Sequence, residues 1–361
     1  MSDRVEARAL LAILRGRWDD AERIGRSRPL DGARFVRLAR ECDVHPTVHA
    51  ALERADRFDL LPEPARSELD DLRRKVRHDN LLLLATVERT LDVLRAAGIR
   101  PVALKGLDVL HRLYGRFDER TLDDVDLLVR PDEVERALAA LEGAGYRGPG
   151  APSREHWLRS SFEMPLTSPG PVGVLVEIHW SLGQERRYTI DLDGVLARTL
   201  PFEVAGRPVS RLDPHDAVAH LLLHHVQHYF DRRLKWMLEL VRTASEPGFS
   251  WQTTAERLRR WGGRRAAGDA LRHVRKLFPE AVPSEALRLL PVPAWRRAVT
   301  LPLRSGHPLD RYRWTRARRV QLFLAAVLLE NPAELAGYLR HRAARDRDAS
   351  ASAVERGGGP R

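Results

Sequence analysis

The chain has 361 residues, of which 43% are hydrophobic and 31% are charged, the composition of an ordinary globular protein. It contains no run of eighteen apolar residues and no apolar leader, so we predict neither a membrane span nor a signal peptide. Cys42 is the single cysteine, which excludes an intramolecular disulfide and a thiolate metal cluster and indicates a cytoplasmic protein.

The chain is basic, with a net charge of +11, and arginines far outnumber the lysines. Such a charge is typical of proteins that bind nucleic acid. Here the arginines are spread over every segment, and no RNA-binding motif accompanies them. Arginine-mediated nucleic-acid binding is therefore an alternative that the sequence does not favour.

The first part of the chain predicts an N-terminal helical region, residues 1–95. Apolar residues recur at helical spacing, and the longest such pattern runs from Leu69 to Leu94 and ends before Gly98. Pro62 and Pro64 separate it from the helix predicted before it. Nothing in this region suggests chemistry, so we expect it to form a helical wall against the domain that follows.

The second region, residues 96–212, predicts a small α/β core. Short apolar segments predict its strands, and a polar loop at 114–121 is of the kind that lies over an active site. Residues 147–174 otherwise predict mostly loop. The strands are expected at residues 102–104, 124–129, 162–166 and 174–180, with a hairpin at residues 201–212 that turns at Gly206.

Two carboxylates stand on the second of these strands. Asp124 and Asp126 are two residues apart, so their side chains point to the same face of the strand. They repel each other there, and a divalent cation between them explains their presence. Glu177, on a later apolar strand, adds a third carboxylate if the two strands are neighbours, and His179 shares its face as a pocket-lining residue. The alternative is a strand end whose acids are only solvated.

A small and a basic residue precede these acids. Gly106 permits a phosphate to approach the backbone, the helix after it offers free N–H groups, and Lys105 adds a positive charge. Arg120, four residues before Asp124, pairs either with a phosphate or with the acids themselves. Lys105, Gly106 and Arg120 are therefore the candidate nucleotide-binding residues.

The rest of the chain predicts a C-terminal helical region, residues 213–341. Apolar periodicity places helices at 251–261, 266–278 and 320–329, with a proline-containing connector at 279–313. Residues 342–361 are polar and rich in glycine at their end, which predicts a disordered tail.

Three histidines of this region fall four residues apart on one predicted helix face: His220, His224 and His228. Two histidines at this spacing can bind zinc. One helix cannot close a tetrahedral site, however, and no glutamate follows the first histidine as in H-E-x-x-H. We therefore interpret His224 and His228 as structural or pocket-lining and expect no stoichiometric zinc.

Several of these motifs occur in a fixed order within residues 75–245. They are L-K-G at Lys105, R-x-x-x-D-V-D-L-L-V at the two aspartates, P-D-E-V-E-R-A-L-x-x-L-x-x-x-G-Y, and V-E-I-H-W at Glu177. Together they resemble the uncharacterised bacterial nucleotidyltransferase family of the DNA polymerase β superfamily. Superfamily members have a Gly-Ser pair at the first turn, where this chain has Lys105 and Gly106.

The resemblance implies a fold and an activity. The fold is α/β (α+β), a small mixed-sheet nucleotidyltransferase core with helical flanks on both sides. The activity is transfer of a nucleoside monophosphate from an NTP to an unknown acceptor (a small molecule, peptide or protein), with release of pyrophosphate. Asp124, Asp126 and Glu177 would hold two Mg²⁺ ions. Because the Gly-Ser pair is missing, a catalytically inactive module that binds a nucleotide or peptide is the competing interpretation.

Overall fold

The computed structural model describes residues 4–150, 154–183, 187–228, 233–299 and Leu309. The helix predicted at 320–329 and the tail predicted at 342–361 lie outside these residues. Among the helices described, none combines the length and the apolar character needed to cross a membrane.

The N-terminal region is helical, as its apolar periodicity predicts. Pro62 stands just before the longest helix and Pro64 lies in its first turn, where the missing N–H breaks no helical hydrogen bond. The two prolines therefore mark the start of this helix. They also separate it from the helix before it, as the sequence predicts. The helices are α1 (Arg4–Leu14), α2 (Trp18–Ser27), α3 (Gly32–Glu41), α4 (His45–Ala55) and α5 (Glu63–Ala96).

A six-stranded mixed sheet follows, which confirms the predicted fold class. Its strands are β1 (Val102–Ala103), β2 (Asp124–Leu128), β3 (Glu163–Thr167), β4 (Leu175–His179), β5 (Leu200–Val204) and β6 (Arg207–Arg211), in the spatial order β3-β4-β2-β1-β6-β5. The pairs β1–β6 and β2–β4 are parallel, and the other neighbours are antiparallel. The predicted hairpin is β5–β6, and Ala205 and Gly206 form its turn, both at positive φ.

Short helices join the strands, and one of them corrects the prediction. Residues 154–160 form a helix where loop was expected. The segment has no helical periodicity of its own. Trp157 and Leu158 pack against the core of the sheet, and this tertiary contact stabilises the helix. The helices are α6 (Lys105–Leu113), α7 (Val134–Gly143), α8 (Arg154–Ser160) and α9 (Leu192–Ala197).

The described part of the C-terminal region is again helical. The predicted connector at 279–313 also contains helix, because α14 and α15 occupy part of it. The helices are α10 (Pro214–Gln227), α11 (Leu234–Thr243), α12 (Trp251–Arg260), α13 (Arg264–Leu277), α14 (Ser284–Leu289) and α15 (Ala294–Val299).

The sheet has a hydrophobic core on each face. Val125 and Leu127 of β2 face a core that includes the second half of α5 and helix α7. Leu128 faces the other core, to which α1 to α4 and α10 to α13 all contribute. Residues alternate between faces along a strand, so Asp124 and Asp126 lie on the face of Leu128. Both terminal helical regions share this core, and their division at residues 95 and 213 stays a prediction.

Candidate active site

The register of β2 and β4 brings their polar residues together. In this parallel pair Asp126 lies opposite Glu177, and Leu128 lies opposite His179. The apolar residues that alternate with the acids are buried in the core on the other face. A slip of one residue would turn the carboxylates into that core, so the apolar pattern fixes the register. Glu177 thus lies beside the first acids on a neighbouring strand, as the sequence predicts.

Asp126, Glu177 and His179 form a compact group. Each offers one ligand atom, and these atoms all lie within 4.8 Å of one another. His179 Nε2 is 2.8 Å from Asp126 Oδ1 and 3.6 Å from Glu177 Oε2. Carboxylate oxygens are the donors that Mg²⁺ and Mn²⁺ prefer, and two carboxylates converge here. The side chains therefore fit a divalent cation.

Asp124 lines the same cavity without joining this compact group. Burial raises the pKa of its carboxyl, and the nearby charge of Asp126 raises it further, to about 7. Among the described residues, no basic side chain forms an ion pair with Asp124. Its charge is therefore poorly compensated in the absence of a bound cation.

Asp126 is instead held as a carboxylate by two basic partners. Burial alone would raise its pKa, but the charge of Lys105 and the hydrogen bond from His179 hold the pKa far below its usual range. Lys105 Nζ donates to Asp126 Oδ1 at 2.6 Å. Burial and Lys105 both lower the pKa of His179, and its hydrogen bonds to Asp126 and Glu177 outweigh them and raise it to about 9. Lys105, predicted to face a phosphate, thus faces a carboxylate here.

Gly106 provides room for the side chain of Arg120. A Cβ atom on Gly106 would lie 2.9 Å from Arg120 Nη1 and 3.0 Å from Leu122 Cδ2. Arg120 is buried, and its Nε donates to Glu239 Oε1 of α11 at 2.6 Å. Arg120 therefore pairs with Glu239. The suggested salt bridge from Arg120 to Asp124 or Asp126 is wrong. Gly106 and Arg120 both line the cavity, and their contact with a nucleotide stays a prediction.

The loop that carries Arg120 is fixed rather than open. Asn80 of α5 donates to the carbonyl oxygens of Phe117 and Arg120 and accepts from the N–H of Leu122. Thr47 of α4 donates to the carbonyl of the residue before Arg120 at 2.8 Å. The predicted polar loop at 114–121 is therefore anchored by the N-terminal helices, because its buried backbone groups need partners.

Sequence reasoning missed Glu163. This residue begins β3 directly opposite His179, and its Oε2 lies 3.3 Å from His179 Nδ1. Burial raises the pKa of the Glu163 carboxyl. One signal in the sequence could have found it. Met164 and Leu166, which alternate with Glu163 along β3, are apolar and buried on one face of the strand, so Glu163 lies on the other face. The side chain then lies on the face of the site.

Lys235 is a second residue to which the sequence assigned no role. It is buried in α11, and its Nζ lies 2.5 Å from Asp43 and 2.7 Å from Asp123. Asp123 adjoins Asp124 in the chain, yet this ion pair directs it away from the compact group. The pair also ties α11 to the end of α3 and to the start of β2.

Helices α10 and α11 form the opposite wall of the cavity. Its residues include His220, His224, His228 and Trp236. Burial lowers the pKa of His220 to about 3 and of His228 to about 4, and it lowers that of His224 well below its usual value. The three imidazoles are therefore neutral at physiological pH. These imidazoles offer hydrogen bonds without positive charge, and the Trp236 ring lies 4.6 Å from that of His224. The positive charges on this side of the cavity come from Lys235 of α11, which pairs with Asp43 and Asp123, and from Arg233 before it.

The cavity between the acids and this wall has a volume of about 150 Å³. Pockets that enclose a whole ligand usually measure roughly 300–1,000 Å³. The cavity therefore has room for a cation and the reacting groups, and a larger substrate would extend beyond it.

The comparison with known proteins identifies the family. The profile of a family described as "uncharacterised nucleotidyltransferase" matches residues 28–279, more than half of the chain. The chain belongs to this nucleotidyltransferase family. Among solved structures it is similar to an antigenic nucleotidyltransferase-like protein from Paracoccidioides brasiliensis, with 16% identity, 59% of this chain and 95% of that chain covered, and a TM-score of 0.37. No curated protein matches the sequence.

The family match is wider than the resemblance seen in the motifs, which spans residues 75–245. It begins before α3 and ends after α13. The nucleotidyltransferase unit therefore includes helices of both termini as well as the sheet. This agrees with the hydrophobic core that these helices share on the face of the acids.

Proposed function

We propose that the protein is a divalent-metal-dependent nucleotidyltransferase. It moves a nucleoside monophosphate from an NTP to an acceptor and releases pyrophosphate. The observation that carries this proposal is the compact group of Asp126, Glu177 and His179 beside Asp124, in a chain of a nucleotidyltransferase family. The proposal places the chain in the polymerase β superfamily and its reaction in the cytoplasm.

Each side chain of the site has a role in this proposal. Asp124, Asp126 and Glu177 hold Mg²⁺, which neutralises phosphate charge and lowers the pKa of an acceptor hydroxyl when bound. Glu177, less buried than Asp126, is placed to accept the proton of that hydroxyl. His179 positions Asp126 through the 2.8 Å hydrogen bond to Oδ1, as partners of metal-binding carboxylates commonly do.

The remaining cavity residues bind the nucleotide in this proposal. Lys105 and the backbone at Gly106 lie on the phosphate side, and Arg120 supports that turn through its contact with Gly106. The three neutral imidazoles of α10 favour uncharged parts of the substrate, and the charge of Lys235 in α11 is taken up by Asp43 and Asp123. Trp236 offers an aromatic face there for a base or an apolar acceptor.

The other two interpretations are less well supported. A module that only binds a nucleotide does not need the converging acids. An arginine-rich nucleic-acid-binding protein needs arginines with free charge, whereas many described arginines pair with acids. Arg207, for example, binds both Asp92 and Glu88.

The position of a radioactive label tests the reaction type. Purified protein, Mg²⁺ and each NTP would be incubated with fractions of a cell extract, with ³²P on the α-phosphate or on the γ-phosphate. We expect the α-label to enter an acceptor and the γ-label to leave as pyrophosphate. Asp126→Asn and Glu177→Gln should abolish the transfer, and Asp193→Asn, at an exposed acid, should not. Transfer of the γ-label would indicate a kinase, and nucleotide binding without transfer would indicate a binding module.

A further inference from the structure

Lys105 lies where a cation of the site is expected. Its Nζ is 2.6 Å from Asp126 Oδ1 and 3.9 Å from Glu177 Oε2. These are the two carboxylates that the strand register places side by side. A lysine ammonium carries its charge at all physiological pH values. The two carboxylates therefore share a positive charge that the chain itself supplies.

The backbone of Lys105 supports this placement. Its φ angle is +45°, in the left-handed region, while Gly106 beside it does not have a positive φ. A residue with a side chain is strained in that region, and such strain persists where surrounding contacts hold it. The contact that holds Lys105 is its ion pair with buried Asp126. Glycine would fit the backbone better, so the position is occupied by lysine in spite of the strain.

The charges of the acids indicate how many further cations they can hold. Asp124, Asp126 and Glu177 carry three negative charges when ionised, which one ammonium and one divalent ion balance. Two divalent ions beside the ammonium would leave excess positive charge in a buried site, which is costly. Glu163 and a protonated His179, whose Nδ1 lies 3.3 Å from Glu163 Oε2, add one charge of each sign and leave this balance unchanged.

We propose that the Lys105 ammonium takes one of the two cation places of the acid cluster, so that the acids bind a single divalent ion. This inference rests on the proposed function and revises its expected number of ions. The ammonium neutralises Asp126 and Glu177. Asp124, which forms no ion pair with a basic side chain among the described residues, is left to this single divalent ion.

Counting bound Mn²⁺ tests the inference without any activity measurement. The signal of free Mn²⁺ in electron paramagnetic resonance would be followed during titration of nucleotide-free protein. We expect one ion per wild-type chain. Lys105→Gly, which fits the positive φ, should bind two ions or bind the first at least roughly tenfold more tightly, because a repelling charge is removed. Lys105→Ala gives a second variant, Lys105→Arg should behave as wild type, and Lys75→Ala controls for loss of an exposed lysine.

The outcomes separate this inference from the proposed function. Two ions per wild-type chain would overturn the inference and leave the metal site standing. The same number and affinity in wild type, Lys105→Gly and Lys105→Ala would do likewise. If neither wild type nor these variants bind Mn²⁺, the metal-dependent function fails, and the inference fails with it.

Discussion

Substituting Asp124 by asparagine should stabilise the metal-free protein at neutral and alkaline pH. The carboxyl of Asp124 has a pKa of about 7, raised from 3.8 by burial and by the charge of Asp126. A raised carboxyl pKa means that ionisation opposes folding. The resulting loss of stability is absent below the pKa that the carboxyl has in the unfolded chain, and it is complete above the pKa that it has in the folded protein. The Asp124→Asn substitution removes the ionisation and keeps the size of the side chain.

The magnitude follows from the shift. One pKa unit corresponds to 1.36 kcal/mol, so an upward shift of about three units sets an upper limit of about 4 kcal/mol. Asp124 keeps some contact with solvent, which reduces this value, and we expect a gain of about 2 kcal/mol at about pH 8. At about pH 4 only a small part of the gain should remain, because the Asp124 carboxyl of the folded wild type is then protonated and as uncharged as asparagine.

Urea unfolding in EDTA, followed by tryptophan fluorescence, measures this gain. The two proteins share every other titrating group, so their difference isolates Asp124. Asp193→Asn, at an exposed acid, should change stability little at either pH. A loss of stability at about pH 8, or a gain of equal size at both pH values, would refute the reasoning.

The remaining predictions concern partners that the structure shows. Asn80→Ala leaves buried backbone groups of the 114–121 loop without partners and should cost about 2–4 kcal/mol in thermal or urea unfolding; wild-type stability would show that the loop is held otherwise. Glu239→Gln should cost about 3–5 kcal/mol, because it leaves the guanidinium of Arg120 buried without a countercharge; a loss below about 1 kcal/mol would contradict the burial of that pair. Purified protein should contain no stoichiometric zinc by metal analysis, and one zinc per chain that is lost in His224→Ala would overturn the interpretation of α10.

Asp126 shows where reasoning from the sequence alone would fail. Two acids on one strand face suggest equal roles, and both would then be removable without loss of stability. The structure separates them, since Asp126 pairs with Lys105 and His179, and Asp124 has no such partner in the part of the chain that is described. Asp126→Asn would weaken two buried ion pairs, so only the substitution at Asp124 should stabilise the protein. The difference depends on where Lys105 Nζ points, which strand periodicity does not specify.

Periodicity in the sequence predicted the features that depend on neighbouring residues, such as strand faces and helix positions. Alternation along β2 and β4 places the acids on one face, and the apolar pattern from Leu69 to Leu94 predicts most of α5, which begins earlier, at Glu63. The partner of Arg120 could not be predicted, because Glu239 lies 119 residues further along the chain. Glu163 was missed because its meaning depends on β3 pairing with β4, and the sequence does not specify which strands are neighbours.

In the proposed function, the acid cluster binds an NTP through a divalent ion. Calorimetric titration of the four NTPs, with Mg²⁺ and with EDTA, tests it most directly in wild type, Asp124→Asn and Glu177→Gln, with Asp193→Asn as the control. We predict that at least one NTP binds wild type and the control only when Mg²⁺ is present, and that both cluster variants lose this Mg²⁺-dependent binding while staying folded. Equal affinity with and without Mg²⁺, or unchanged affinity in both cluster variants, would contradict the account.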